Sequence, residues 1–171
     1  MASPKKLAHI ALTTDDLEKM RDWYLTVLEA EVVHENDFIC FVTYDDEHHR
    51  VVFAKVPEVV KPDGAASRLL HFAFTYDTLD ELLDTYTRLR DQGIKPATNI
   101  HHGPTLSMYY KDPQDNSVEL QIDTMSMKAA REFVESEVFA KNPIGLSFDP
   151  EDLVNRRRGG ASVEELTRYP V

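Results

Sequence analysis

The chain has a single cysteine, Cys40, among its 171 residues. That excludes an intrachain disulfide and a thiolate metal cluster, leaving histidines and carboxylates as the available metal donors. Long apolar runs are also missing. Nothing approaches the roughly 20 apolar residues needed to span a bilayer, and the opening Met1-Ala2-Ser3-Pro4-Lys5-Lys6 lacks the apolar core of a secretory signal. Positive charge is scarce: 19 Lys and Arg stand against 30 Asp and Glu, a net charge of -11, which argues against a nucleic-acid-binding surface. These absences imply a cytoplasmic protein with no membrane or nucleic-acid partner, of a length that fits one domain with a real core.

What is present is a repeat. Leu7 to Thr14 is short, apolar and alternating, the pattern of a strand whose odd positions Leu7, His9, Ala11 and Thr13 share a face. Asp15 and Asp16 suit a helix N-terminus, and Leu17, Met20, Tyr24, Val27 and Leu28 then recur at helical spacing. Phe38 to Tyr44 and Arg50 to Val56 read as two further strands around a polar turn. Laying Leu7–Tyr24 over Leu69–Tyr86 at a constant offset of 62 gives eight identities in eighteen positions, among them His9 with His71, Asp15 with Asp77 and Tyr24 with Tyr86. Two copies of one βαβββ module follow, about 5–57 and 68–124, separated by a Pro- and Gly-bearing linker from Pro57 to Ser67. In the second copy a helix over Leu79 to Gln92 ends at Gly93, and Ile94 to Ile100 leads to a hairpin.

In that hairpin two arms rich in Tyr, Val and Leu flank Asp112-Pro113-Gln114-Asp115-Asn116. These residues preset or tolerate turn dihedrals. On the second arm Ser117, Glu119 and Gln121 share one face and Val118, Leu120 and Ile122 the other, so Glu119 points away from the apolar side. Matching Tyr44-Asp45-Asp46 with Tyr110-Lys111-Asp112 places Phe53 at the position equivalent to Glu119. Residues 1–125 hold the two modules and 126–171 form a helical C-terminal extension. Within it Lys128 to Ala140 reads as a helix, Asn142 to Gly145 as a break and Pro150 to Arg157 as another helix. Arg156-Arg157-Arg158 reads as a solvated or carboxylate-paired surface, and the extension is assigned to packing, a lid or oligomer contacts.

Two histidines at the same position of duplicated strands, with a glutamate on a later strand, form a ligand set if the two modules close around a shared cavity. Two neutral imidazoles and one carboxylate on one side of a metal leave octahedral positions open, an arrangement suited to non-haem Fe(II). A pair of buried, hydrogen-bonded histidines is the competing structural reading.

The duplicated His-bearing strand, the Asp-Pro turn and the Glu after it resemble the vicinal-oxygen-chelate superfamily of glyoxalases, bleomycin-resistance proteins and dioxygenases. Within it the fuller match, over roughly residues 5–124, is to type I extradiol ring-cleaving dioxygenases of the biphenyl-2,3-diol dioxygenase kind. The resemblance implies an α+β fold of two tandem βαβββ modules around a shared metal cavity. It also implies the metal ligands His9, His71 and Glu119 and Fe(II) as cofactor, with Mn(II), Zn(II) or Ni(II) as alternatives. His48-His49 matches the family's His pair, and the parity shared by His49, Val51 and Phe53 favours His49 as the acid/base that takes a proton from a catechol and later returns it. His102, preferred over His101, and Tyr109 would hydrogen-bond substrate oxygens. The implied partners are an aromatic diol and O2, and the implied assembly is a homo-oligomer of one-domain chains. One departure is Asp115, where the family usually has Gly in its turn; Asp tolerates the left-handed region better than most residues. The alternatives are a glyoxalase-type isomerase or transferase, which would want a ligand at the Phe53 position, and a non-catalytic small-molecule-binding member.

Overall fold

The offset of 62 read from the sequence recurs in the backbone: the first strand spans Ile10–Thr14 (β1) and its copy Phe72–Tyr76 (β5), and the following helices begin at Leu17 and Leu79. The structure is a computed structural model and describes residues 3–58 and 69–170. Most of the expected linker lies outside the described residues. The chain divides into two compact units, Met1–Arg68 with Asp112–Asn116, and Leu69–Lys111 with Ser117–Val171.

In the first unit β1 is followed by helix α1 (Leu17–Leu28) and strands β2 (Glu31–Glu35), β3 (Ile39–Thr43) and β4 (Val51–Lys55). The sheet order is β1-β4-β3-β2, with β1 parallel to β4 and the other pairs antiparallel. Asp16 caps α1, its side chain accepting from the Lys19 N–H, and the apolar stripe Leu17, Met20, Tyr24 and Val27 is buried. Val51 and Phe53 pair with Val42 and Cys40, all fully buried, and Phe53 meets the Tyr24 ring at 4.9 Å. This is the helix-facing side of the sheet. The opposite side carries Ala11, Thr13, Phe41 and Val52.

The second unit repeats the topology with α2 (Leu79–Asp91), β6 (Thr98–His101), β7 (Thr105–Lys111) and β8 (Ser117–Asp123) in the order β5-β8-β7-β6. A capping box joins Thr78 and Glu81 at the start of α2. Leu106, Met108 and Tyr110 of β7, with Val118, Leu120 and Ile122 of β8, are buried on the helix side. The alternation read for the second arm therefore holds, and Glu119 lies on the other face.

The extension differs from the sequence expectation. The single helix over Lys128–Ala140 is two, α3 (Met127–Val134) and α4 (Glu137–Lys141). Ser136 ends one by donating its hydroxyl to the Phe133 carbonyl and caps the other by accepting from the Phe139 N–H. Beyond them a two-residue strand β9 (Leu146–Ser147) adds to β6, then come α5 (Pro150–Arg158) and α6 (Val163–Thr167). Arg156 pairs with Asp152 and Glu165, and Arg157 with Asp80 of α2, as a carboxylate-paired surface requires. The strand expected from Leu7 begins at Ile10, so His9 stands just before the ladder, as His71 does in the second copy.

Candidate metal and substrate site

Four of the residues singled out in the sequence meet on the open face of the second sheet. Tyr109 and Glu119 are directly opposite partners in the β7–β8 ladder, and Ala73 is Glu119's partner on the other side. A hairpin with side chains alternating every second residue thus delivers a phenol and a carboxylate side by side. Glu119 is only 4% exposed, and its Oε2 lies 3.0 Å from His71 Nε2. His102 Nε2 is 2.8 Å from the Tyr109 hydroxyl, and Tyr109 stands beside Glu119 across the ladder. The result is a chain of contacts running His102, Tyr109, Glu119, His71. Burial, followed by the Glu119 charge, pushes the Tyr109 phenol well above its ordinary value, so it is a protonated donor at neutral pH. Small neighbours, Ala73 and Thr75, leave this face open.

Beside these groups is a mainly apolar cleft of about 460 Å³, its walls including Leu70, Ile100, Pro143 and Ile144. Its size suits a small aromatic molecule, and the polar groups converge at one side. His101 takes no part in it. That ring is buried on the opposite side, with Nε2 3.0 Å from the Thr167 carbonyl oxygen and an edge contact to Tyr169 at 5.1 Å. The two histidines separate because Gly103-Pro104 is a two-residue hairpin turn: His102 N–H donates to the Thr105 carbonyl, and His101 is the ladder partner of Leu106, a helix-side residue.

In the first unit His9 is exposed and its ring centroid lies 4.6 Å from that of His49. His49 stacks on Phe41 at 4.6 Å, and its Nδ1 is 2.6 Å from His48 Nδ1. Burial and then the neighbouring His48 and His9 lower the His49 pKa, which favours the neutral imidazole. The parity argument made for His49 fails, however. Phe53 faces the helix, and the residue equivalent to Glu119 is Val52: Ala11 pairs with Val52 as Ala73 pairs with Glu119. A one-residue slip in matching the turns moved every assignment on β4 to the wrong face. His49 itself precedes β4 and is outside the alternation. Val52 offers no donor, so the absence of a fourth ligand from that strand stands.

Among the described residues no group of three or more His, Cys, Asp and Glu side chains stands together as a metal site. The donors that are paired, a buried carboxylate and an imidazole at 3.0 Å, nevertheless fit a divalent metal of borderline hardness. Burying a carboxylate in charged form is costly unless donors or a cation compensate it.

Residues 6–120 match the Glyoxalase/Bleomycin resistance protein/Dioxygenase superfamily. The chain belongs to that superfamily. It is 43% identical over 171 residues to biphenyl-2,3-diol 1,2-dioxygenase 2 of Rhodococcus globerulus, covering 99% of this chain and 90% of the relative. It is 42% identical to biphenyl-2,3-diol 1,2-dioxygenase 3 of the same organism, covering 98% and 90%. Solved structures of the same fold include lactoylglutathione lyase from Agrobacterium tumefaciens, with a TM-score of 0.57, 22% identity and coverage of 71% of this chain and 96% of that one. The fosfomycin resistance protein FosX from Listeria monocytogenes has a TM-score of 0.56 at 17% identity, covering 74% and 98%. Superfamily membership accounts for the paired βαβββ sheets. The two relatives match nearly the whole chain, whereas these solved structures cover 71% and 74% of it. No helix of the described residues is long and apolar enough to cross a membrane.

Proposed function

We propose that this chain is an extradiol ring-cleaving dioxygenase that opens a catecholic aromatic ring with O2, acting in the cytoplasm as a homo-oligomer. The near full-length identity to two proteins named biphenyl-2,3-diol 1,2-dioxygenase carries this reading. The cluster of His102, Tyr109, Glu119 and His71 supports it. Glu119 and His71 would hold Fe(II), with His9, the counterpart of His71 in the sequence repeat, as the third ligand. Fe(II) held there would supply the redox chemistry that ring opening with O2 requires.

The chain's own residues do the rest. Tyr109, kept protonated, donates to a substrate oxygen, and His102 orients that hydroxyl through its Nε2. His49, a neutral imidazole, accepts a proton from the diol and returns it later in the reaction, the task for which a pKa at or below neutrality is suited. The apolar cleft walls hold the aromatic ring and keep water away from it.

The test is anaerobic reconstitution with Fe(II), followed by air and 2,3-dihydroxybiphenyl or catechol with absorbance followed in the visible. Yellow ring-opened product is expected. Metal bound with no product across a panel of catechols would overturn the reading and favour a glyoxalase-type isomerase or transferase. His71→Ala is expected to lose metal and activity together, whereas His49→Ala keeps metal and turns over slowly.

A further inference from the structure

His102 stands between two neighbours that are tightly held, and its own ring bonds Tyr109 through Nε2. The preceding residue is fixed by three parts of the extension. β9 pairs Leu146 with His101 and Ser147 with Ile100. The buried His101 ring donates through Nε2 to the Thr167 carbonyl, while its Nδ1 accepts from the Gly103 N–H at 3.2 Å, so both nitrogens are committed in one neutral tautomer. Tyr169 closes over the ring edge.

The following residue is held as closely. Gly103, at φ 98, has the Phe133 ring of α3 where a Cβ would be, and Phe133 in turn packs on Phe139 and Tyr169. Gly103's carbonyl accepts from the Thr124 hydroxyl. His102 itself is approached by Gly145, at φ 101: a Cβ there would run into the His101 carbonyl and lie 2.8 Å from His102 Cα. Backbone contact this close is possible only for glycine.

We propose that the C-terminal extension is the positioning element for His102, acting through His101, Gly103 and Gly145 to set the His102–Tyr109 hydrogen bond. The kinetic part of this inference rests on the dioxygenase reading; the geometric part does not. A displacement of about 1 Å at a positioning group costs up to roughly 100-fold in rate. The extension surrounds the three residues at the end of β6, where the β6–β7 ladder has just run out and sheet pairing no longer fixes the chain.

The experiment uses the full-length protein in four forms: wild type, His101→Ala, Gly145→Ala and the conservative His101→Gln, whose amide can still donate to the Thr167 carbonyl. Each is first shown to be folded at the assay temperature by circular dichroism. With Fe(II), kcat is expected to fall on the order of 10-fold in His101→Ala and Gly145→Ala, with KM changed less than about 2-fold, and to recover in His101→Gln. In a Tyr109→Phe background the same two changes should cost less than about 2-fold more, because the hydrogen bond they act on is already gone. Without added iron, nitrogen NMR of the histidine rings should show the His102 Nε2 signal displaced in the two damaging variants and restored in His101→Gln.

Folded variants with wild-type His102 signals overturn the proposal, as does full additivity with Tyr109→Phe. If His101→Ala and Gly145→Ala do not fold, Phe133→Leu loosens the same contact on Gly103 and carries the same readouts. If the wild type cleaves no catechol, the dioxygenase reading fails while the NMR comparison still decides this one.

Discussion

Glu119 is a nearly buried carboxylate whose Oε2 lies 3.0 Å from His71 Nε2. Glu119→Gln keeps the shape of the side chain and replaces the carboxylate by a neutral amide. In metal-free protein it is therefore expected to be as stable as wild type or more stable, by on the order of 1 kcal/mol, while losing the rise in melting temperature that Fe(II) gives wild type. Thermal unfolding with and without Fe(II) measures both, and a metal-dependent rise retained by Glu119→Gln would refute a ligand role. Tyr109→Phe removes the donor between His102 and Glu119, and kcat is expected to fall roughly 10- to 100-fold in a protein that still folds and binds metal. The residues of this cluster were legible because a repeat marks His71 and strand alternation orients Glu119. The side taken by His102 was legible too, in a feature passed over: Gly103-Pro104 is a two-residue hairpin turn with Gly at its first position, and such a turn fixes the register that puts His101 and His102 on opposite faces. Val52 escaped for the opposite reason. The turn before β4 is one residue longer than its counterpart before β8, and no local signal announces that.

Duplicated elements keep a residue and change its partner. Tyr24 on α1 and Tyr86 on α2 are equivalent positions, both buried, and each hydroxyl donates to a carboxylate: Tyr24 to Asp112 at 3.0 Å, Tyr86 to Glu151 at 2.8 Å. Asp112 also accepts from the Gln114 and Asn116 N–H groups and the Asn116 amide, which makes it the organiser of the Asp-Pro turn. Tyr24→Phe leaves that buried carboxylate one donor short and is expected to destabilise by roughly 1–3 kcal/mol in denaturant unfolding. The same turn contains the one departure noted in the sequence. Asp115 does adopt the left-handed conformation, at φ 65, and its N–H still donates to the Asp112 carbonyl. Asp115→Gly should raise stability by about 0.5–1 kcal/mol, a midpoint shift at unchanged m-value. Turn chemistry and helix caps were readable here because they are local. The break between α3 and α4 was not, since Ser136 acts both as a stop and as a cap and looks in sequence like one more helix residue.

At the scale of the whole molecule, the repeat and the hairpin explain two sheets, and the extension joins the second unit through contacts that acid should weaken in sequence. Burial, offset only partly by its bond to the Thr167 carbonyl, lowers the His101 pKa from 6.5. The unfolded chain then binds a proton more readily than the folded one, so stability is complete above about pH 6.5 and declines as pH falls towards the folded value. A second loss follows at lower pH. Glu151 is held below its ordinary 4.5 by Arg90 and Tyr86, and Asp80 below 3.8 by Arg157, so the ties between α2 and α5 persist above those values and fail as pH drops through the folded ones. The melting temperature of wild type should therefore start to fall just below pH 6.5, whereas His101→Gln, in which His49 remains as a histidine of lowered pKa, should fall less over that range before the carboxylates protonate. Trp23, the chain's one tryptophan, lies on α1 in the first unit. Its fluorescence is expected to change at lower pH than the helical circular dichroism that includes the extension. Superimposable pH profiles for wild type and His101→Gln would show that the buried histidine does not govern the onset, and coincident fluorescence and dichroism would place that onset in the whole chain instead of the extension.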